Sequence, residues 1–120
     1  MEKKTVVIVE DKSVIAEILT DKIRRMGYEV HDPVRSGEEA IECCRACRPN
    51  LVIMDITLDG EMDGIDAGMA IRREFNIPFV FLTAYGGSDI TDRMREAEPD
   101  GYIVKPFSDS DLLAVLRSLL

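Results

Sequence analysis

The stretch that most constrains the fold of this 120-residue chain is the run Leu51–Asp55, which is four consecutive apolar residues followed by a carboxylate. Because the run has no polar face, it predicts a strand that is buried on both sides, as in the interior of a parallel sheet. A second apolar run, residues 6–9, ends in Glu10 and Asp11. Open α/β sheets place their ligands beyond the carboxyl ends of the strands. The sequence therefore predicts that two buried strands deliver acidic side chains to one edge of a sheet.

The remainder of the chain alternates between strand-like and helix-like segments. Residues 28–31 alternate apolar with polar side chains, which predicts an edge strand with one covered face. The predicted strands cover residues 6–9, 28–31, 51–55, 79–82 and 102–104, and the predicted helices cover about 13–26, 36–48, 65–75, 89–97 and 109–120. This alternation predicts an α/β fold with a doubly wound five-stranded parallel sheet in the order 2-1-3-4-5 and helices on both faces.

Length and charge restrict the domain organisation and the ligands. A chain of this length predicts one domain, residues 1–120. The net charge of −8 at pH 7 argues against direct binding to nucleic acid and suits metal cations or basic partner surfaces better. Because there is no apolar run of about 18 residues and no leader-like segment, we expect neither membrane insertion nor secretion, and a cytoplasmic location.

Three cysteines, Cys43, Cys44 and Cys47, lie in one predicted helix. Their odd number and close spacing make a poor disulfide framework, so we expect reduced thiols. Since the helix also needs an apolar face, Cys43 and Cys47 are interpreted as small core residues rather than as a metal or redox site. His31 has no partner cluster in the sequence, and we expect it on the edge strand.

The predicted strand order brings three acids together. The first and third strands are neighbours where the order reverses, so Glu10, Asp11 and Asp55 are expected to converge. A hard divalent cation, Mg²⁺ or Mn²⁺, would offset the repulsion between three carboxylates and suits an all-oxygen site. We expect Asp11 and Asp55 to bind the metal directly, with a backbone carbonyl near Thr57 as a further ligand and Glu10 acting through water. Lys105 follows the last strand and can pair with Asp55 or with a phosphoryl oxygen.

This set of residue types fits nucleophilic phosphoryl transfer to an aspartate. Asp55 would supply the attacking oxygen. The metal and Lys105 would neutralise charge on the transferring group, while Thr83 and backbone N–H groups, those of Ile56 and Ala84, would donate hydrogen bonds to its oxygens. Each residue alone also fits a structural role, such as a strand end or a turn. Their placement at the same end of the strands favours the functional interpretation.

Four motifs occur in a characteristic order: Glu10-Asp11, Asp55, Thr83-Ala84 and Lys105-Pro106-Phe107. In these motifs, and over essentially all of its length, the chain resembles the receiver domain of two-component response regulators. The resemblance implies a flavodoxin-like fold and a signalling switch in which Asp55 accepts a phosphoryl group from a sensor histidine kinase with Mg²⁺ required. Such a domain is not a conventional enzyme, although it catalyses its own Mg-dependent phosphorylation and dephosphorylation.

The resemblance also implies a cis Lys105–Pro106 bond and a conformational switch. Tyr102 matches the switch aromatic of the family, whose ring turns into the space that Thr83 leaves on moving toward the phosphoryl group. The change would be read on the surface of the fourth helix, fifth strand and fifth helix, where a homodimer is also possible. The implied partners are the kinase and either a downstream effector protein or a fused output domain, because the chain carries no output segment.

The loop after Asp55 departs from the usual pattern of the family. In the family the loop after Asp55 is usually shorter by about one residue and often holds a Pro, whereas here residues 59–61 intervene, so the backbone on the metal side is expected to differ. Thr57 and Tyr85 occupy positions that influence how water reaches the phosphoryl group.

The main alternative is a receiver-like binding module that switches without phosphorylation. A haloacid-dehalogenase-like phosphatase would need an Asp in place of Thr57, and a flavin carrier would need a phosphate-binding loop after the first strand.

Overall fold

The computed structural model describes residues 3–58, 60–84 and 91–120. The strands are β1 (Thr5–Val9), β2 (Glu29–Val30), β3 (Leu51–Asp55), β4 (Phe79–Thr83) and β5 (Gly101–Val104), and the helices are α1 (Ser13–Arg25), α2 (Gly37–Cys47), α3 (Gly64–Phe75), α4 (Asp92–Glu96) and α5 (Asp109–Leu119). The predicted start of the fourth helix at Asp89 lies outside the described residues, as do Asp59 and Tyr85. The alternation of strands and helices is confirmed.

The five strands form one parallel sheet in the order β2-β1-β3-β4-β5. This order confirms the predicted doubly wound, flavodoxin-like fold. The three fully apolar runs become β1, β3 and β4, the inner strands, because both of their faces are covered. The alternating segment becomes the edge strand β2, and a single bridge between Val9 and Val34 continues the pairing beyond it. The order reverses between β1 and β3, which places a cleft at their carboxyl ends.

Alternate residues of each strand point to opposite faces, and each face has its own apolar core. Helices α2, α3 and α4 cover the face that contains Val7, Val9 and Phe81. Helices α1 and α5 cover the face that contains Val6 and Ile8. A helix that crosses a bilayer needs about 20 apolar residues, and none in the described part of the chain meets this requirement.

The amino end of β4 is held by an acidic side chain from the loop before β5. One oxygen of Asp100, Oδ2, accepts hydrogen bonds from the Phe79 backbone N–H at 3.0 Å and from the Arg72 guanidinium at 2.6 Å. The same guanidinium lies over the Phe79 ring, 5.0 Å from its centroid. We call these three residues the β4 anchor, and they fix the edge of the sheet opposite to the acidic cleft.

The sequence predicts Ser13 as the cap of α1 and Ile18 on its inward face, and the structure differs in both. Lys12 is the N-cap and makes no side-chain cap hydrogen bond, so Ser13 is the first helical residue rather than the cap. Ile18, which was expected to face inward, is 47% exposed. The buried stripe is centred on Leu19 and Ile23, and at about 100° per residue Ile18 projects roughly 120° away from that centre.

The expectations for the cysteines and the histidine are partly wrong. None of the three cysteines forms a disulfide, but Cys47 is exposed rather than part of the core. His31 does have partners: its Nδ1 lies 3.6 Å from Cys43 Sγ, which in turn lies 3.6 Å from Cys47 Sγ. The physical reason is that α2 lies beside His31, the residue that follows β2, which brings together side chains that are separated in sequence.

Candidate functional site

Three acidic side chains meet at the carboxyl ends of β1 and β3. Val9 of β1 is level with Met54 of β3, so Glu10 and Asp55, the residues that follow, lie side by side. Their residues are only 1% and 5% exposed, and Asp11 beside them is half-buried. One carboxylate oxygen from each of Glu10, Asp11 and Asp55 lies within 4.8 Å of the others. The structure thus brings together the three acids that the sequence analysis placed at this edge.

Lys105 reaches the same cluster from the end of β5. Its Nζ lies 3.3 Å from Asp55 Oδ2 and 3.4 Å from Glu10 Oε1. Its backbone N–H donates a hydrogen bond of 2.7 Å to the Thr83 carbonyl, which holds the residue beside the end of β4. The Lys105–Pro106 peptide bond is cis, as the resemblance implied. One ammonium group therefore faces two buried carboxylates at nearly equal distances.

A cleft of about 170 Å³ opens over Asp55. Thr83 ends β4 and is 3% exposed. The Thr57 backbone N–H donates a hydrogen bond of 3.1 Å to Asp55 Oδ1, so the loop after β3 folds back over the carboxylate. The lining residues are Lys12, Asp55, Ile56, Thr57, Thr83, Ala84 and Lys105. The cleft therefore includes the two residues whose backbone N–H groups were expected to meet a phosphoryl group, while the Thr57 carbonyl as a metal ligand stays a prediction.

The electrostatics of the cleft act most strongly on Glu10. Burial raises the pKa of this carboxyl group from its ordinary value of 4.5 to about 7. Hydrogen bonds that the protonated carboxyl group donates to Asp55 and Asp11 act in the same direction, as does charge repulsion from Asp55. The positive charge of Lys105 opposes the rise in pKa. Glu10 therefore changes protonation near neutral pH, and a bound cation would favour its ionised form.

The loop after Asp55 returns to the strand through a close backbone contact. The Gly64 N–H at the start of α3 donates a hydrogen bond of 2.8 Å to the Ile56 carbonyl. A Cβ atom at Gly64 would lie 2.0 Å from the Asp55 carbonyl oxygen, so only glycine fits here. Asp63 caps α3 by accepting a hydrogen bond from the Asp66 N–H at 2.9 Å. The loop is thus tied to the end of β3.

Sequence reasoning missed two residues that shape the cleft. Gly64 was not singled out, although a glycine directly after a capping aspartate was the available signal. Lys12 was also missed: it lines the cleft, and its backbone N–H donates a hydrogen bond of 3.4 Å to Glu10 Oε2. The available signal there was a cation directly after the acidic pair.

The donor set of the cleft fits a hard divalent cation. Three carboxylate groups within 4.8 Å of one another offer only oxygen donors, the type that Mg²⁺ and Mn²⁺ prefer. With Lys105 as the near counterion, the cleft keeps a net negative charge when Asp11, Asp55 and Glu10 are ionised. Glu10, Asp11 and Asp55 are therefore the residues that would hold such an ion.

Tyr102 of β5 lies on the strand next to the one that Thr83 ends. In the register of the sheet Thr83 is level with Val104, and Tyr102 is level with Phe81. Residues that are level on adjacent strands point to the same face of the sheet, and so do alternate residues of one strand. Thr83 and Tyr102 therefore lie on the same face. The rings of Phe81 and Tyr102 are in contact, with centroids 6.2 Å apart. Tyr102 is only partly buried, which leaves its ring at the boundary between core and surface.

Comparison with known proteins matches this chain to one family. The sequence model of the response regulator receiver domain matches residues 6–117. The transcriptional regulatory protein PdtaR of Mycobacterium tuberculosis is 39% identical over 114 residues, which cover 95% of this chain and 55% of that protein. A probable transcriptional regulator, ycf27 of Cyanophora paradoxa, is 39% identical over 120 residues, 98% of this chain and 48% of that protein. The chain thus spans about half the length of these relatives.

Solved structures agree with the sequence comparison. The signal receiver domain of a modulated diguanylate cyclase from Desulfovibrio desulfuricans superposes with a TM-score of 0.89 at 29% identity, covering 98% of this chain and 94% of that one. The receiver domain of sensor histidine kinase PA1611 from Pseudomonas aeruginosa, with a magnesium ion coordinated in its active-site cleft, gives a TM-score of 0.88 at 26% identity, covering 98% of each chain. The strand-end cleft, the sequence match and the shared fold lead to one conclusion: this chain belongs to the response regulator receiver domain family.

Proposed function

We propose that this domain is a phosphorylation-dependent signalling switch whose phosphoacceptor is Asp55. The observation that carries the proposal is the environment of that carboxylate. It is almost fully buried, one oxygen accepts a hydrogen bond from the Thr57 N–H, and the other faces Lys105 Nζ at 3.3 Å. A buried carboxylate that is oriented from two sides and borders an open cleft is poised for attack on an incoming group.

The chain's own residues account for most of the transfer. An oxygen of Asp55 forms a bond to phosphorus while the phosphorus–nitrogen bond of a phosphohistidine donor breaks, and the leaving imidazole takes the electron pair and a proton. Lys105 offsets negative charge on the phosphoryl oxygens. The Thr83 hydroxyl and the N–H groups of Ile56 and Ala84 donate hydrogen bonds to those oxygens. The same groups serve a separate hydrolytic step, in which water attacks phosphorus, the bond to the Asp55 oxygen breaks, and inorganic phosphate leaves, so the domain also catalyses its own dephosphorylation.

The metal site belongs to the same proposal. Asp11 and Asp55 would bind the ion directly, the Thr57 carbonyl would supply a further oxygen, and Glu10 would act through water. When bound, Mg²⁺ or Mn²⁺ neutralises negative charge on the phosphoryl group and the carboxylates. The acidic donor set supports this assignment, as does the magnesium ion in the cleft of the PA1611 receiver domain.

The output is a change of packing between Thr83 and Tyr102. Thr83 moves toward a phosphoryl group on Asp55, and the Tyr102 ring turns inward into the space that is left. The shared face of the two residues and the partly buried Tyr102 ring support this switch. Partners read the change on the surface formed by α4, β5 and α5, which also serves a homodimer.

The partners follow from the family and from the length of its members. A sensor histidine kinase supplies the phosphoryl group in the cytoplasm, and a downstream effector or a fused output domain receives the signal. Because the relatives are about twice as long as this chain, an output domain on the same polypeptide fits the comparison. The acidic charge of the domain supports recognition of proteins rather than direct binding of nucleic acid. That residues 1–120 are one complete domain stays a prediction.

Intact-mass measurement after incubation with acetyl phosphate and Mg²⁺ tests the proposal. The wild-type chain is expected to gain one phosphoryl adduct, and Asp55→Asn is expected to gain none. Asp21→Asn is the matched control, because Asp21 is an exposed aspartate that pairs only with Arg25 among the described residues; it keeps the adduct. A folded wild-type chain with no adduct at any metal concentration contradicts the proposal and supports the phosphorylation-independent binding module.

A further inference from the structure

A second group of metal-type ligands lies apart from the acidic cleft. His31, Cys43 and Cys47, which we call the thiol–imidazole cluster, each offer one ligand atom, and these atoms lie within 4.8 Å of one another. Two of the distances are 3.6 Å: His31 Nδ1 to Cys43 Sγ, and Cys43 Sγ to Cys47 Sγ. A tetrahedral zinc ion would hold two sulfurs about 3.8 Å apart and sulfur and nitrogen about 3.5 Å apart. The cluster therefore nearly has the dimensions of a zinc site before any ion binds.

The scaffold presents the three side chains from two packed elements. Cys43 and Cys47 are four residues apart on α2, so they lie on one face of the helix. His31 directly follows β2, and its backbone N–H donates a hydrogen bond of 3.0 Å to the Val6 carbonyl, which fixes its position beside α2. Cys43 is 9% exposed, whereas His31 and Cys47 are open to solvent. One buried thiol with two exposed partners forms a shallow site that an ion can enter.

We propose that the thiol–imidazole cluster binds Zn²⁺ through the two cysteine sulfurs and one histidine nitrogen, with water as the fourth ligand. Two thiolates and an imidazole are the soft and borderline donors that select zinc and reject Mg²⁺. Binding forms two zinc–sulfur bonds and one zinc–nitrogen bond and releases the two thiol protons to solvent. The charge of the two thiolates balances that of the ion.

The imidazole is able to supply its nitrogen. Nδ1 lies 2.9 Å from the Asp32 carbonyl oxygen, a distance at which an Nδ1–H group donates a hydrogen bond. On zinc binding this hydrogen bond is given up, the proton is carried by Nε2, and Nδ1 becomes the ligand. Because His31 is exposed, water satisfies the Nε2–H group.

The site is separate from the phosphoacceptor cleft. His31 continues the β2 ladder and is level with Val7, three residues before Glu10 along β1. At about 3.3 Å per residue this places the cluster roughly 10 Å from the end of the strand. Zinc binding would link the two-residue edge strand to α2. It requires neither phosphorylation nor Mg²⁺, so the proposal stands independently of the function assigned to Asp55.

A Co²⁺ titration of the reduced chain in the presence of Mg²⁺ tests the proposal. Co²⁺ replaces Zn²⁺ in such sites, and its thiolate charge-transfer absorption reports sulfur ligation only, so carboxylate binding in the acidic cleft is silent. We expect one ion per chain, a charge-transfer band from two thiolates, and displacement of Co²⁺ by Zn²⁺. Absence of the band, or a band that Zn²⁺ does not remove, overturns the proposal.

Matched variants assign the ligands. His31→Gln and Cys47→Ser change exposed side chains, so both keep the fold, and each is expected to weaken Zn²⁺ binding at least tenfold. Cys44→Ala is the control: Cys44 is the neighbouring thiol of the same helix but points into the core, outside the cluster. Wild-type affinity in Cys44→Ala supports the assignment. Equal affinity of His31→Gln, Cys47→Ser and the wild-type chain overturns it.

Discussion

The acidic cleft and the thiol–imidazole cluster are two cation-type sites of opposite chemistry in one small domain. The cleft holds three carboxylates with Lys105 as counterion, whereas the cluster consists of two thiols and an imidazole. Burial raises the pKa of one group in each site, Glu10 to about 7 and Cys43 to about 12. At Cys43, hydrogen bonding and charge repulsion from Cys47 raise the pKa further. Glu10 therefore titrates near neutral pH, and the Cys43 thiol stays protonated until an ion displaces its proton.

The two sites also differ in how much of the fold each needs. Lys105 is 95 residues from Glu10 and 50 from Asp55, so the cleft exists only when three strand ends are aligned. The cluster joins residues that are 12 and four positions apart and needs only the packing of α2 beside β2. A change at the strand ends should thus remove the chemistry of the cleft and spare the cluster.

The largest effect is expected for Gly64→Ala. The new Cβ would overlap the Asp55 carbonyl oxygen, and the backbone must shift because no flexible side chain can move away. We expect loss of the phosphoryl adduct and a decrease in the free energy of unfolding of about 3 kcal/mol, with Co²⁺ binding by the cluster retained. Urea denaturation, intact mass and the Co²⁺ titration measure the three quantities.

Gly101→Ala is the control for this change. The Cβ at Gly101 would meet the nearest Val80 carbon at 3.4 Å, which is an ordinary contact, so its phosphorylation is expected to match that of the wild-type chain. If Gly64→Ala accepts phosphoryl as fast as Gly101→Ala does, the contact at the start of α3 does not position Asp55.

Lys105→Met is expected to change the two activities of the cleft, phosphorylation and Mg²⁺ binding, in opposite directions. Loss of the ammonium group removes a donor to the phosphoryl oxygens, and we expect phosphorylation by acetyl phosphate to slow roughly 100-fold. The same change removes a cation that competes for Asp55 and Glu10, so the affinity for Mg²⁺ should rise. Adduct formation followed by mass, with Mg²⁺ binding followed by calorimetry, tests both statements. If the phosphorylation rate and the affinity for Mg²⁺ both fall, the substitution has disrupted the structure of the cleft instead.

The affinity for Mg²⁺ is expected to depend on pH through Glu10. The pKa of this group is about 7, so below that pH a proton must leave before the ionised carboxyl group can assist the metal. Affinity should rise with pH, by up to tenfold per unit below about 7, and level off above it. Glu10→Gln cannot titrate, and its affinity should vary much less over the same range. A wild-type chain as insensitive to pH as Glu10→Gln would show that Glu10 is already ionised.

The raised pKa of Glu10 makes Mg²⁺ binding stronger as the pH rises. In the absence of metal, it makes the folded chain less stable as the pH rises. The protonated form of Glu10 is favoured in the folded state, so its contribution is fully present below about pH 4.5 and is lost as the pH rises through 7. Removal of the metal should therefore leave the wild-type chain less stable at pH 8 than at pH 6, and Glu10→Gln should reduce this difference. Urea denaturation at the two pH values measures it.

The fold and most of the acidic cleft were predictable because their signals are periodic or positional. Buried strands without a polar face fixed the inner positions of β1, β3 and β4, and parallel strands necessarily end at one edge. That rule placed Glu10, Asp55 and Lys105 together. It gave no information about Gly64, whose role depends on a backbone approach of α3 that no composition rule describes.

The thiol–imidazole cluster was not predictable for a different reason. Its residues come together only because α2 lies beside His31, the residue that follows β2. A helical periodicity with several small apolar residues does not determine which cysteine faces the core. Cys47 faces out, so the interpretation as a core residue was wrong, and the partners of His31 became visible only in three dimensions.

The smallest effect is expected in the β4 anchor, which lies at the opposite edge of the sheet from the cleft. Asp100→Ala removes the acceptor of the Phe79 N–H and of the Arg72 guanidinium, and should lower the free energy of unfolding by about 1–2 kcal/mol. Asp100→Asn keeps an acceptor for the N–H and loses only a partly exposed ion pair, so its cost should stay below about 1 kcal/mol. Because neither variant touches Asp55 or the cluster, phosphorylation and Co²⁺ binding should equal those of the wild-type chain. A loss of either activity at unchanged stability would show that the two edges of the sheet are coupled.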